Sequence, residues 1–271
     1  MRWLLLLLAG CTLTGGTVLE IPHETNLPTE AYFCPAQDCL SVLARFENAS
    51  CALYSSTLFH PAKIITADRR KSGLMHNKFC VLGDTVLTGS LNPTERNIKQ
   101  ANNLLVIHSR YVADLYRDEY DELQQGTFGG GDVAKYSQVI LNNQSVGVRF
   151  CPEDHCKKAV LDALSSATSS IIFALNAFTD KDVAAILIAR NRTIRVYGVI
   201  DTVQTTPISD TLPGRKRKNI HDKFFVIDGR TVITGSANPS GNGYFHNDEN
   251  IVFLDDPVLA TQYTAEINRL Y

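Results

Sequence analysis

Residues 221–238 read HDKFFVIDGRTVITGSAN, and residues 76–92 read HNKFCVLGDTVLTGSLN. In each stretch a histidine stands two positions before a lysine, an apolar run follows, a Gly/Asp turn interrupts it, and Gly-Ser-x-Asn closes it. Short apolar runs split by Asp228-Gly229 or Gly83-Asp84 predict a β-hairpin in each copy. Strand alternation puts residues i and i+2 on one face, so His221 and Lys223 point the same way, as do Ser236 and Asn238 on the neighbouring strand end. A lone His-x-Lys reads most simply as a solvated strand edge. Two copies, each followed by Gly-Ser-x-Asn-Pro at nearly the same distance, point to one polar constellation built twice.

The duplication runs further in both directions. YFCPAQDCLSVLARFENASCALYS, from Tyr32, parallels RFCPEDHCKKAVLDALSSATSSIIFALN, from Arg149: an edge strand, a cysteine corner, a helix and an apolar strand. In the second helix Ala159, Val160, Ala163, Leu164 and Ala167 recur at three- and four-residue spacing and make one buried face. IIFAL is short and continuously apolar, as in a strand covered on both sides. Beyond the hairpins, NLLVI and NIVFL predict another strand in each half, and YVADLYRDEYDELQQ and PVLATQYTAEINRLY a closing helix. The glycines of QQGTFGGGD, 124–132, mark a connector. The expected architecture is α/β: an N-terminal segment at 1–20, a first half at 21–125, a connector and start of the second half at 126–145, and a second half at 146–271. Each half is a mixed β-sheet flanked by helices. The halves pack about a pseudo-twofold axis that brings the two His-x-Lys motifs face to face, so no second copy of the chain is required to complete the site.

A net charge of -2 and a pI near 6.4 over 271 residues exclude a global basic signature, so anion binding must be local. The N-terminus, MRWLLLLLAGC, has an apolar run too short to span the ~30 Å hydrocarbon layer and reads as an export signal. Leu-Ala-Gly-Cys also resembles a lipoprotein box, which would anchor the chain through a lipid on Cys11; the alternative is an apolar segment that is never removed. Without Cys11, six cysteines remain, consistent with three disulfides in an oxidising compartment. The repeated C-P-x-x-x-C corners suggest Cys34–Cys39 and Cys151–Cys156. Cys51 and Cys80 are both missing from the other half, where Thr168 and Phe225 are taken as their counterparts, which suggests that they bond to each other. Zinc at CPEDHC lacks partner ligands at the usual spacing.

The doubled HxK, hairpin and GSxN resemble the phospholipase D superfamily, whose members join two such motifs at one site. The resemblance covers about Tyr32 to Tyr271. It implies phosphodiester cleavage through a covalent phosphohistidine, with no metal or other cofactor. It carries over to His76, Lys78, Ser90 and Asn92 in the first half and to His221, Lys223, Ser236 and Asn238 in the second, with the serines and asparagines on the substrate phosphate. The HxK-x4-D pattern is met by His221, Lys223 and Asp228, whereas Gly83 stands at that position in the first half; the aspartate lies at a hairpin turn, so its loss reads as a turn variation. Such chemistry needs a nucleophile, an acid for the leaving oxygen, and positive charge on the non-bridging oxygens. Two histidines and two lysines meet that need. Glu249 stands where the first half has Asn102. If that position contacts the histidine of its own half, Glu249 favours a protonated His221, which makes His221 the general acid and His76 the nucleophile.

Basic runs, Arg69-Arg70-Lys71 and Arg215-Lys216-Arg217-Lys218, precede the two motifs. Either they are solvated loops or they form a cationic rim that collects a polyanion or an anionic bilayer surface. Tyr244 and Phe245 could stack on bases or dip into a lipid interface, or simply pack. The reading is a phospholipase D-type hydrolase of phospholipids, exported and either membrane-anchored or secreted. The alternatives are an endonuclease with the same mechanism, transfer to an alcohol acceptor, or a non-catalytic module that holds anionic lipid or nucleic acid. A dead module should have lost a histidine or lysine of the motifs, and all four are present.

Overall fold

The computed structural model describes residues 20–66, 73–202 and 207–271. The Cys11 anchor and the Arg69-Arg70-Lys71 run fall outside the described residues. In chain order the first half runs β1 (His23–Glu24), β2 (Thr29–Cys34), α1 (Cys39–Ala44), β3 (Ser50–Leu53), β4 (Lys63–Ile65), β5 (Lys78–Leu82), β6 (Thr85–Gly89), β7 (Asn102–His108) and α2 (Arg110–Gln124). The second runs β8 (Val139–Leu141), β9 (Gln144–Cys151), α3 (Cys156–Ser166), β10 (Ser170–Leu175), α4 (Lys181–Arg190), β11 (Arg195–Asp201), β12 (Arg215–Arg217), β13 (Lys223–Ile227), β14 (Thr231–Gly235), α5 (Gly241–Phe245), β15 (Glu249–Asp255) and α6 (Pro257–Leu270).

Two mixed sheets result, ordered β2-β7-β6-β5-β3-β4 and β1-β8-β9-β15-β14-β13-β10-β11-β12. The repeat is visible in them, since β7-β6-β5-β3 and β15-β14-β13-β10 have the same order and antiparallel pairing. The halves are two α/β units, each a mixed sheet with helices. Two departures from the repeat stand out. The second half inserts α4 before β11, the counterpart of β4, and adds β12 beyond it, and β9, expected at an edge, is covered by β8, which in turn pairs with β1 from the first half.

Burial explains the packing. One outer core joins α1 to its sheet through Val42, Leu43, Phe46 and Leu87, and another joins α3 and α4 to theirs through Val160, Leu164, Val183 and Leu187. A third core is shared, drawing Phe79, Tyr116 and Ile107 from one half and Phe150, Phe224 and Tyr263 from the other. Tyr263 of α6 packs edge-on against both Phe33 and Phe224, with ring centroids 4.9 and 4.8 Å away, so aromatic contacts span the seam.

All three expected disulfides form: Cys34–Cys39, Cys51–Cys80 and Cys151–Cys156. Cys51 lies directly opposite Cys80 on the paired strands β3 and β5. The expected counterpart Thr168 is corrected by the register. Phe173 stands opposite Phe225 at the equivalent place, so an aromatic pair replaces the covalent bond in the second half.

The basic run at 215–218 is neither a solvated loop nor, for the most part, a rim. Arg215, Lys216 and Arg217 form β12 beside β11. Arg215 and Arg217 donate to the carbonyls of Leu270 and Tyr271, where cations favourably meet a helix C-terminus, while Lys216 pairs with Asp210 at 3.0 Å. Tyr244 is also not exposed: only 2% of its surface is accessible, leaving Phe245, 54% exposed, as the aromatic at that surface.

Candidate active site

Each motif histidine is pinned to the opposite half by backbone. The His76 N–H donates to Asp248 O at 2.9 Å, and the His221 N–H donates to Ala101 O at 2.8 Å. The reciprocal bonds, Asp248 N–H to Leu74 O and Ala101 N–H to Asn219 O, are both 2.8 Å, so two short parallel bridges across the seam set the pair. Both lysines then turn back on their own histidine: Lys78 Nζ donates to His76 O and Lys223 Nζ to His221 O, each at 2.7 Å. The expected face sharing of His and Lys therefore holds in both copies.

The partner of each ring is crossed. His76 Nδ1 lies 2.7 and 2.8 Å from the two carboxylate oxygens of Glu249, which belongs to the second half. His221 Nδ1 lies 2.8 Å from Asn102 Oδ1 and 3.1 Å from Ser90 O, both in the first. The expectation that Glu249 contacts the histidine of its own half is thus corrected. β15 and β7 run along the seam, so their first residues reach across it. Two acceptors, Asn102 Oδ1 and Ser90 O, lie nearer to His221 Nδ1 than the Lys223 ammonium at 3.4 Å, so that nitrogen carries the proton, and the same holds for His76 beside its carboxylate. His76 Nε2 faces the Lys78 ammonium at 3.1 Å, which suits a lone pair on that nitrogen.

Ser90 and Ser236 were expected on the substrate phosphate, and the structure corrects this too. Both are fully buried. Ser236 Oγ donates to Glu249 at 2.6 Å and accepts the Asn250 N–H at 3.0 Å; Ser90 Oγ donates to Asn102 Oδ1 at 3.1 Å and accepts the Asn103 N–H at 3.0 Å. They aim the groups that aim the histidines. Asn247 adds a 3.0 Å bond to Glu249, and Asn102 is oriented by donating to the carbonyls of Asn97 and Gln100. Asn92 keeps its amide at the site, donating to Asn97 Oδ1 at 2.8 Å with its own Oδ1 buried and unpartnered. Asn238, half-buried, accepts the Ala177 N–H at 3.2 Å.

Asp228 does not enter the site. It sits in the β13–β14 turn with φ 54°, and its carboxylate collects the N–H groups of Thr168, Ser169 and Ser170. Burial opposes its ionisation, but those donors hold it well below the usual carboxylate range. Gly83 takes the same turn position with the same φ of 54°. The missing aspartate of the first half is therefore a turn variation, as expected.

Electrostatically the site is a buried cluster of bases. Burial, then the neighbouring lysines, pushes His221 well below the ordinary histidine value. Burial also lowers His76, but Glu249 pulls it back up. Lys78 is pushed far down by burial and Lys223 down to about 8.

Several contributors were not singled out in the sequence. Tyr54 presents its ring 4.8 Å from that of His76, with the Lys78 ammonium 5.5 Å from its centroid. Behind the site, Asn103 donates to Asp222 Oδ1 at 2.9 Å, and Thr234 donates to Asn103 Oδ1 at 2.9 Å. On the other side Thr88 donates to Asn250 Oδ1 at 2.9 Å. The signal for these existed, because the Thr of T-G-S and the second Asn of NN and EN are repeated in both halves.

The comparisons with known proteins follow this geometry. A family model described as "Cardiolipin synthase, PLD-like domain" matches residues 160–271. The "Mitochondrial cardiolipin hydrolase" of Xenopus laevis is 32% identical over 136 residues, 45% of this chain and 65% of that protein. A "Phospholipase D" of Rickettsia bellii is 27% identical over 143 residues, 48% of this chain and 71% of its own length. A solved phospholipase D family member, Nuc from Salmonella typhimurium, is 31% identical and is 93% covered, over 47% of this chain, with a TM-score of 0.44. The chain belongs to the phospholipase D superfamily. Its fold is also similar to that of phosphatidylserine synthase of Haemophilus influenzae, which overlays on 76% of this chain and 64% of its own with TM-score 0.55 at 14% identity. The curated cardiolipin hydrolases are matched over slightly less than two thirds of their length, 65% and 66% for the first two.

Proposed function

We propose that this chain is a phosphodiester hydrolase of phospholipase D type, acting on phospholipid head groups through a covalent phosphohistidine and without a metal. The observation that carries it is the crossed pair of rings. Two histidines from different halves each have Nδ1 beside a group of the other half, and the two rings lie within electrostatic reach of each other and of both lysine ammoniums. That the relatives bear the names phospholipase D and cardiolipin hydrolase supports the lipid class. Three disulfides fit an oxidising compartment, outside the cytosol, where a bilayer surface is at hand.

His76 is the nucleophile and His221 the general acid, on a different ground from the one the sequence offered. A carboxylate on Nδ1–H raises the electron density at Nε2 of His76, and Glu249 compensates the cationic ring once Nε2 is phosphorylated. His221, beside a neutral amide and two ammoniums, holds a second proton weakly and gives it up readily; an anionic phosphodiester between the lysines supplies the charge that lets it load. In the first step the Nε2–P bond of His76 forms, the P–O bond to the leaving alcohol breaks, and His221 delivers a proton to that oxygen. In the second step His221 takes a proton from water, the water oxygen attacks phosphorus, and the Nε2–P bond breaks. Lys78, Lys223, Asn92 and Asn238 stand around the non-bridging oxygens. Ser90 and Ser236 keep the rings in register.

The test is rapid acid-free quench of protein turning over a phosphate-labelled phospholipid in EDTA, followed by peptide mapping. Wild type and His221→Asn are expected to retain label on His76, with His221→Asn accumulating it when the leaving group needs no acid, whereas His76→Asn retains none. Label on His221 instead would reverse the roles. Cleavage of single-stranded DNA with no turnover of any phospholipid would replace the lipid reading by the nuclease one.

A further inference from the structure

Beside the catalytic pair lies a cavity of about 430 Å³, lined among others by Tyr54, Asn176, Asp201, Asn219, Gln100 and Arg96, and reached by His221. Because His221, and not His76, is on its wall, this cavity is where the leaving alcohol sits if the proposed roles hold. Its lining is amide and hydroxyl in character, with a single aromatic ring, that of Tyr54. A quaternary ammonium head group calls for several aromatic faces, and an acyl chain for an apolar wall; neither is present among these residues. The buried carboxylate of Asp201, which accepts the Ile220 N–H at 2.9 Å, offers an acceptor for alcohol hydroxyls. The chemistry that matches is an uncharged polyol.

The wall is not neutral throughout. Arg96 is exposed and has no ion-pair or hydrogen-bond partner among the described residues, in contrast to Arg45, Arg217, Arg230 and Arg269, which are all engaged. Lys99 and Lys218, likewise exposed and unpaired among the described residues, flank the short bridge Ala101↔Ile220 that brings Gln100 and Asn219 to the cavity. Arg96 thus lines the cavity without a partner among the described residues, and Lys99 and Lys218 each stand two residues before the bridge at its edge. Cations left unpaired around a polyol-sized cavity suit a second anion on the leaving group.

We propose that this cavity is a leaving-group subsite for a polyol head group that itself carries a phosphate, with Arg96 as the residue that reads the second phosphate. The proposal rests on the phospholipase reading of the site. It is tested on monomeric, short-chain substrates, so that the charge of a vesicle surface plays no part: dihexanoyl phosphatidylinositol 4-phosphate against dihexanoyl phosphatidylinositol, with a single-stranded oligonucleotide as a third arm. The expected result is a kcat/KM ratio favouring the phosphorylated head group by roughly tenfold or more, falling to near unity in Arg96→Gln, as befits loss of one charge-assisted contact. Equal cleavage of both lipids, or a preference that survives Arg96→Gln and Lys218→Gln together, overturns the proposal and leaves the phospholipase reading standing. Cleavage of the oligonucleotide with neither lipid touched overturns both.

Discussion

Lys223 links the buried charge of the site to a measurable pH dependence. Its ammonium, brought down to about 8 chiefly by burial, is charged below that pH and neutral above it. Because only the charged ammonium attracts the phosphate, the decline of kcat/KM with rising pH that unloading of His221 sets should steepen as pH passes about 8. On the acid side His76 must be unprotonated to attack, and burial lowers its proton affinity, so activity should fall only on the acid side of the ordinary histidine range. A profile of kcat/KM from about pH 5 to about pH 10 checks both limbs, and full activity persisting to about pH 10 would contradict the role given to Lys223. At this scale the sequence was legible where chemistry was repeated: each histidine has its own lysine beside it, whereas Glu249 faces His76 of the other half and not His221. Ser90 and Ser236 were misassigned because their hydroxyls, on the same strand face as Asn92 and Asn238, are consumed by Asn102 and Glu249 instead of reaching a phosphate. Burial at a strand end is not written in alternation alone.

At the level of elements, the glycine of each GSxN is demanded by sterics. Gly235 has φ +144°, and a Cβ there would lie 2.2 Å from Asn250 O; Gly89, at φ +140°, would meet Asn103 O at 2.3 Å. The close approach lets Ser236 N–H and Ser90 N–H donate to those same carbonyls, both at 3.0 Å, which places the serine hydroxyls under Glu249 and Asn102. Gly235→Ala is therefore expected to cost more than about 2 kcal/mol and most of the activity. Gly229→Ala, in the hairpin turn with φ +61° and nothing within 4 Å of the added methyl, should cost only about 1 kcal/mol and leave turnover nearly intact. Paired thermal melts and rates of the two variants decide it; equal losses would mean that the turn, not the approach to β15, matters. The hairpins, closing helices and cysteine corners were all readable from periodicity and turn residues. The short strands β1, β8 and β12 were not, since two or three residues carry no period and their pairing is decided by distant partners.

The whole molecule is held in two unlike ways. The first half staples β3 to β5 through Cys51–Cys80, where the second half relies on Phe173 against Phe225, at 6.4 Å between ring centroids. Cys51→Ala/Cys80→Ala should lower stability by about 3 kcal/mol, seen as a lower melting temperature, with the second-half core unaffected in hydrogen exchange. Uniform loss of protection over both halves would show instead that the shared core of Tyr116, Phe150 and Tyr263 makes them one cooperative unit. The pseudo-twofold arrangement could be anticipated from the repeat, but the direction in which its arms cross could not. That direction depends on Glu249 meeting His76 and Asn102 meeting His221 across the seam, contacts between residues 173 and 119 positions apart.

The crossing has a consequence for the division of labour between the rings. In a symmetric assembly with one motif per chain, whatever faces one histidine must face the other, so the two start out chemically equivalent. Joining the copies in one polypeptide lifts that constraint: Glu249 and Asn102 sit at matching positions yet differ, and each delivers its difference to the neighbour's histidine. Two rings in the same His-x-Lys-Phe setting thereby acquire distinct proton affinities from single-residue divergence on the far side of the seam.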